Sequence, residues 1–250
     1  MCNVVIIDIV DGRQCKLFNP QAEVPDLRPK VWGSKDKMTT IHYPIFASLM
    51  PPARFWEFAH LSDDFKKMGW VDQVPRAGKL YIGGLHALYQ KPDLFEKARI
   101  THILSVLDFD IYEAGAFKEY KRFMLRVDDD PNEELLKHFK ETCAFIDEAL
   151  TNGGGVFVHC AMGKSRSATC VCAYLMQKYD LTPENALAQV CEGRPVCSPN
   201  PGFMEQLRVW RDMLTVRDEQ GREEIYAKWS KERFRGDWWT WDKRGREVKL

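Results

Sequence analysis

The sequence predicts an α/β fold in which a central, mostly parallel twisted sheet is flanked by helices. Three observations carry that expectation. Short β-prone runs are separated by segments long enough to cross over a sheet; later segments place apolar residues at helical spacing; and one apolar run passes through a tight loop directly into a helix.

The elements follow in chain order. Residues 1–69 mix charges, aromatics and prolines (Pro20, Pro25, Pro29, Pro44, Pro51, Pro52) without a sustained period, and are assigned to an N-terminal extension of unknown structure. From Trp70 the pattern sharpens. Strands are predicted at Lys79–Gly83, Ile100–Leu107, Phe123–Val127 and Gly155–His159. Leu135, Phe139, Cys143, Ile146 and Leu150 recur at spacings of three and four, which predicts a helix beginning after Pro131. Val171, Leu175 and Tyr179 mark a helix starting at about Arg166. Thr182-Pro183 supplies a capping residue and a first-turn proline for another, ending near Gly193. Phe203, Leu207, Trp210 and Leu214 share one face of the last clear helix. These elements define one domain over 70–216. Residues 217–250 are highly charged yet carry Trp229, Trp238, Trp239 and Trp241, and rings in that setting are expected to pack back on the domain rather than form a docking surface.

Composition narrows the function classes. The 250 residues are 45% hydrophobic, enough for one sizeable core, and 36 basic residues balance 36 acidic ones. No global field recruits nucleic acid or an anionic membrane, so neither is an expected partner, and any attraction for phosphate must be local. The opening Met1–Asp8 has no basic leader, and no run approaches the roughly 20 apolar residues of a membrane-spanning helix. The protein is therefore expected in the cytoplasm, with the nucleus also open to it. Eight cysteines occur without CxxC pairs, which favours a reducing compartment over a disulfide framework or a zinc site. His86, His102 and His138 belong to no ligand motif, and neither a metal nor a cofactor is assigned. The oligomeric state is left open.

The chemistry concentrates in Val156-Phe-Val-His159-Cys160-Ala161-Met162-Gly163-Lys164-Ser165-Arg166-Ser167, a strand, a loop and a helix start. Cys160 falls where loop amides and the positive helix end converge, a setting that lowers thiol pKa values. Five residues separate it from Arg166, so the loop from Ala161 to Ser165 can curl around a tetrahedral dianion while the guanidinium forks onto two oxygens. Gly163 gives the turn its backbone freedom. Lys164 adds a cation. A thiolate attacking a phosphate ester expels an oxyanion that needs a proton, and Asp128, Asp129 and Asp130 lie at the end of a predicted strand, on the same sheet edge as Cys160. Cys143, Cys170 and Cys172 read as small buried hydrophobes. A protective disulfide between Cys160 and Cys191 or Cys197 is conceivable but unsupported.

His159-Cys160-x5-Arg166-Ser167 resembles the signature of the dual-specificity branch of the protein tyrosine phosphatase superfamily. Leu80–Leu85 is similar to that family's opening strand, Ile100–Leu104 to its next, and Arg194–Phe203 to the segment after the signature helix. The resemblance implies a dual-specificity phosphatase-like fold and a phosphorylated protein as partner. It implies Cys160 as nucleophile, Arg166 as phosphate clamp, and Ser167 as the hydroxyl that eases thiolate departure. Asp129 is implied as general acid because Val127-Asp128-Asp129-Asp130-Pro131 fits the family's spacing. His159 is implied to orient and acidify Cys160, and Asn200 to brace the loop. Hydrolysis of phosphotyrosine, phosphoserine and phosphothreonine through a phosphocysteine is the implied activity. A catalytically inactive phosphoprotein-binding module, a phosphoinositide phosphatase and a rhodanese-type sulfurtransferase are the alternatives, the last disfavoured by the length of the loop.

Overall fold

The computed structural model describes residues 70–112 and 116–247. The expectation for residues 1–69 lies outside them. The sheet contains β1 (Asp72–Gln73), β2 (Leu80–Gly84), β3 (Ile100–Leu107), β4 (Lys121–Arg126) and β5 (Gly155–Cys160), in spatial order β1-β2-β5-β3-β4. Only β1 runs antiparallel; the other pairings are parallel. Helices are α1 (His86–Gln90), α2 (Pro92–Lys97), α3 (Phe139–Thr151), α4 (Arg166–Tyr179), α5 (Pro183–Gly193), α6 (Pro201–Thr215), α7 (Glu219–Glu232) and α8 (Trp238–Glu247). The predicted mostly parallel α/β sheet is what forms.

Strand β5 lies at the centre and every one of its residues is buried, because helices cover both faces. Val156, Val158 and Cys160 point to the face packed by α3, α4 and α6, where Phe139, Ile146, Leu175 and Phe203 are fully buried. Each such side chain stabilises the fold by roughly 1.5–3 kcal/mol. Phe157 points the other way, onto Phe95 of α2 with ring centroids 4.9 Å apart. The alternation places Cys160 and His159 on opposite faces of one strand.

Parallel strands bring their carboxyl ends to one edge. Gly84 of β2 pairs with Cys160 of β5, Ser105 of β3 pairs with His159, and Leu107 with Arg126 of β4. The loops after β3, β4 and β5 therefore meet there, the arrangement by which open α/β sheets build sites.

The helix expected after Pro131 begins only at Phe139, behind a 3-10 turn over Leu136–His138. Two side chains explain the delay. Asp130 Oδ1 accepts from the backbone N–H of Asn132, holding a turn, and Gln206 Oε1 accepts from the N–H groups of Leu135 and Leu136 at 2.8 and 2.9 Å. The segment is thus an irregular loop seated on α6. Beyond Val216 the chain forms α7 and α8, packed against α6. Trp241 is buried and Trp229 packs against the core, while Trp239 stays 82% exposed. Among the described residues no helix is long and apolar enough to cross a membrane.

Candidate active site

The loop 161–165 leaves β5 at Cys160 and enters α4 at Arg166, and its carbonyls are tied outward. Leu85 N–H donates to the Cys160 and Ala161 carbonyls at 2.9 and 3.1 Å, and Ser198 N–H donates to that of Lys164 at 2.8 Å. Arg194, buried, donates from Nε to the Gly163 carbonyl at 2.8 Å and from Nη2 to the Met162 carbonyl at 2.9 Å. Its Nη1 pairs with Asp72 at 2.5 Å. A trans peptide sets its N–H opposite its C=O, so turning these carbonyls out turns the amides of the same peptides in. The result is a nest of inward N–H groups. Gly163 has φ +66, and a Cβ there would collide with the Gly83 and Gly84 backbone, so only glycine suits this position. Ala161, Met162 and Lys164 are half-buried along the loop, and Ser165 is buried at its end.

Cys160 sits at the base of that nest, 1% exposed. Burial pushes its thiol up. The Arg166 guanidinium, the Ser167 hydroxyl at 3.3 Å and the Ser167 amide outweigh that and the opposing Asp129 charge, so Cys160 ionises below the ordinary thiol range. Arg166 is itself buried. Its Nη1 donates to the Val127 carbonyl at 3.0 Å and meets Asp108 Oδ1 at 3.4 Å, while Nε has no partner among the described residues. The fork is thereby anchored at one tip and keeps a buried donor for a phosphate oxygen.

The three aspartates before Pro131 separate by what they touch. Asp128 is exposed and its carboxylate accepts from the Asp129 N–H; Asp130 caps the Asn132 turn. Asp129 Oδ1 accepts from Ser165 Oγ at 2.7 Å and from Asn200 Nδ2 at 2.9 Å. Its Oδ2 bonds to no described residue, so one carboxyl oxygen is fixed and the other is free for a proton. Asn200 is the hub of this contact. Its N–H donates to Ser165 Oγ at 3.1 Å while its Oδ1 caps α6 at Phe203 N–H. Of the three candidates, the structure brings only Asp129 against the loop.

His159 differs from expectation. It is fully buried, stacked on Phe157, and bonded through Nε2 to Ser105 Oγ at 2.6 Å, with Tyr112 Oη at 2.6 Å from the same hydroxyl. Burial pushes its imidazole down to about 3, so it is neutral at physiological pH and has no charge with which to acidify Cys160. Its neutral ring is bonded to Ser105 of β3 and borders the Cys160 backbone, so of the two expected roles orientation stays open to it and acidification by charge does not.

Several residues of the site carry no local sequence signal. Arg194, Asp108, Ser105 and Gln206 act through partners far away in the chain, and no spacing rule points to them. Cys143, Cys170 and Cys172 are buried, and burial pushes their thiols up. Cys197 Sγ lies 3.7 Å from the Gly163 carbonyl and Cys191 Sγ is 3.3 Å from the Cys197 carbonyl, so both serve the wall behind the loop. Among the described residues no cluster of His, Cys, Asp and Glu could hold a metal.

Residues 80–213 match the family described as dual specificity phosphatase, catalytic domain. The human protein phosphatase Slingshot homolog 3 is 41% identical over 151 residues, covering 58% of this chain and 22% of that protein. Dual specificity protein phosphatase 1 of Arabidopsis thaliana is 39% identical over 140 residues, covering 56% of this chain and 69% of that one. The chain thus spans about a fifth of the Slingshot relative. The Yvh1 phosphatase domain from Chaetomium thermophilum superposes with a TM-score of 0.53 at 36% identity, covering 60% of this chain and 99% of that one. The family match spans more than half of the chain and includes the loop, its acid partner and the helix behind them; this chain belongs to the dual specificity phosphatase family of the cysteine-based protein tyrosine phosphatase superfamily.

Proposed function

We propose that this chain is a protein phosphatase that hydrolyses phosphotyrosine and phosphoserine or phosphothreonine through a phosphocysteine intermediate. The observation that carries the reading is a buried sulfur kept acidic by Arg166 and Ser167 beneath a ring of inward amides, with Asp129 held against the same loop. In the first step Cys160 Sγ attacks phosphorus, the phosphorus–oxygen bond to the substrate breaks, and Asp129 gives its proton to the departing oxygen. In the second, Asp129 takes a proton from water, the hydroxide attacks phosphorus, and the sulfur leaves as a thiolate stabilised by the Ser167 hydroxyl. The inward amides and Arg166 stabilise charge on the transferring phosphoryl group in both steps. Breadth towards both phosphotyrosine and the alkyl phosphoesters is supported by the names of several relatives.

Para-nitrophenyl phosphate and phosphopeptides of each kind test this. Cys160→Ser is expected to abolish turnover of all of them. Asp129→Ala is expected to lower kcat/KM by about 10²–10⁴-fold for poor leaving groups while retaining phosphoprotein binding, which allows substrate trapping from extract. Full activity in Cys160→Ser would refute the assignment. Phosphopeptide binding without hydrolysis by the unmodified chain would favour the inactive binding module instead.

A further inference from the structure

The segment beyond α6 grips the acid loop. Asn132, three positions after Asp129, has its side-chain amide engaged on both atoms by residues far along the chain: Nδ2 donates to the Gly236 carbonyl at 2.9 Å, and Oδ1 accepts from Gly236 N–H and Trp241 Nε1, each at 3.0 Å. The same Nδ2 and the Asn132 backbone N–H donate to Asp130 Oδ1, so the clamp and the aspartate turn share one residue. Two positions on, Glu134 accepts from the Tyr226 hydroxyl and lies 3.9 Å from Arg233 Nη1, with both charged side chains largely buried. Trp241 is held in turn by an edge contact to Phe234 at 4.9 Å and by the Arg244 guanidinium over both rings.

We infer that residues 226–241, acting on Asn132 and Glu134, position the Asp129 carboxyl for proton transfer. The inference rests on Asp129 being the general acid. Between Asp129 and Asn132 the chain has little freedom: Pro131 restricts its own φ and the conformation of Asp130 before it, so a displacement of Asn132 reaches Asp129. Among the described residues no hydrogen bond, ion pair or ring contact joins the phosphate loop to these clamp residues. Losing the clamp should therefore affect the proton and spare phosphate capture. General acid help also matters in proportion to how poor the leaving group is, which gives the clamp a signature that a plain loss of folded protein lacks.

The test compares kcat/KM on phenyl phosphate, a poor leaving group, with that on para-nitrophenyl phosphate, a good one, in the full chain. Trp241→Phe keeps an aromatic side chain but removes the N–H donor together with the rest of the indole; Asn132→Ala removes every side-chain bond of Asn132 and leaves the Glu134 contacts in place. Expected losses on phenyl phosphate are about threefold and about tenfold, within the ceiling that general acid catalysis sets, against less than about twofold on para-nitrophenyl phosphate. The inhibition constant of inorganic phosphate should stay the same. Equal losses on both substrates, or none on either, in variants whose Asp129→Ala counterpart does show leaving-group dependence, would overturn the positioning role alone. Absence of that dependence in Asp129→Ala itself would instead overturn the assignment of Asp129, and with it the inference.

Discussion

The two loops that meet over the sulfur are held by different means. The phosphate loop is fastened through its own carbonyls, by backbone N–H groups and the fork of Arg194, so its conformation is set by main-chain geometry. The acid loop is fastened through side chains, Asn200 and Gln206 from α6 and the contacts of Asn132 and Glu134 with the C-terminal helices. The nest that receives phosphate tolerates little variation, because each amide must point inward. The loop proposed to deliver a proton needs only one carboxyl placed well, and can be held by whatever elements lie beside it.

That contrast can be broken first at Arg194. Replacing it by Met removes its hydrogen bonds to the Met162 and Gly163 carbonyls and its pairing with Asp72, which is 12% exposed. A loss of about 3–5 kcal/mol of stability is expected in urea unfolding, the range for removing one partner of a buried ion pair. Inorganic phosphate should bind more weakly as well, because the freed carbonyls let the amides turn. If phosphate affinity survives, the carbonyl ties do not set the nest.

A smaller effect is expected at Gln206, which is 1% exposed and satisfies the N–H groups of Leu135 and Leu136 and the carbonyl of Glu133. Gln206→Leu should cost about 1–3 kcal/mol, the penalty for buried backbone groups left unpaired, with phosphate affinity unchanged. A shift in phosphate affinity would show that the loops are not independently held.

Smallest in its effect on the fold, but the sharpest probe of the sulfur, is alkylation. At neutral pH iodoacetate should modify Cys160 ahead of the other described cysteines. Burial pushes Cys143, Cys170, Cys172, Cys191 and Cys197 up, whereas Arg166 and Ser167 bring Cys160 down against its own burial. The midpoint of its pH–rate profile should lie below the ordinary thiol value of 9.0. The sign for stability follows: this depressed value adds stability that is complete above the unfolded thiol's pKa and disappears as pH falls through the native one. A midpoint at or above the ordinary value would mean that burial wins.

How much of this was legible in the sequence depends on how local each cause is. The long strands and the helices from Arg166 to Thr215 announce themselves by apolar spacing, and the loop by the spacing of Cys160, Gly163 and Arg166. Strand β1 is two residues long, and α1 and α2 five and six, too short for any period to show. The helix after Pro131 starts later than the apolar spacing predicts, because Leu135 keeps that spacing while Gln206, far along the chain, takes the Leu136 N–H group that would close the first turn. Helix α7 buries none of its residues completely, so charge masked it, and the tryptophans beyond Val216 signalled only that something must cover them. Partners such as Arg194 with Asp72 become visible only once the chain is folded.

One contact beneath the acid loop sets a dimension for the whole site. At Gly202, in the first turn of α6, an added Cβ would strike the Pro131 carbonyl, so helix and loop meet backbone to backbone. That residue works as a shim of zero thickness: an alanine there would act as a spacer, lifting Pro131, and with it Asp129 two positions before, off their seat. The reach of the proposed proton donor is thus calibrated by a side chain that is missing.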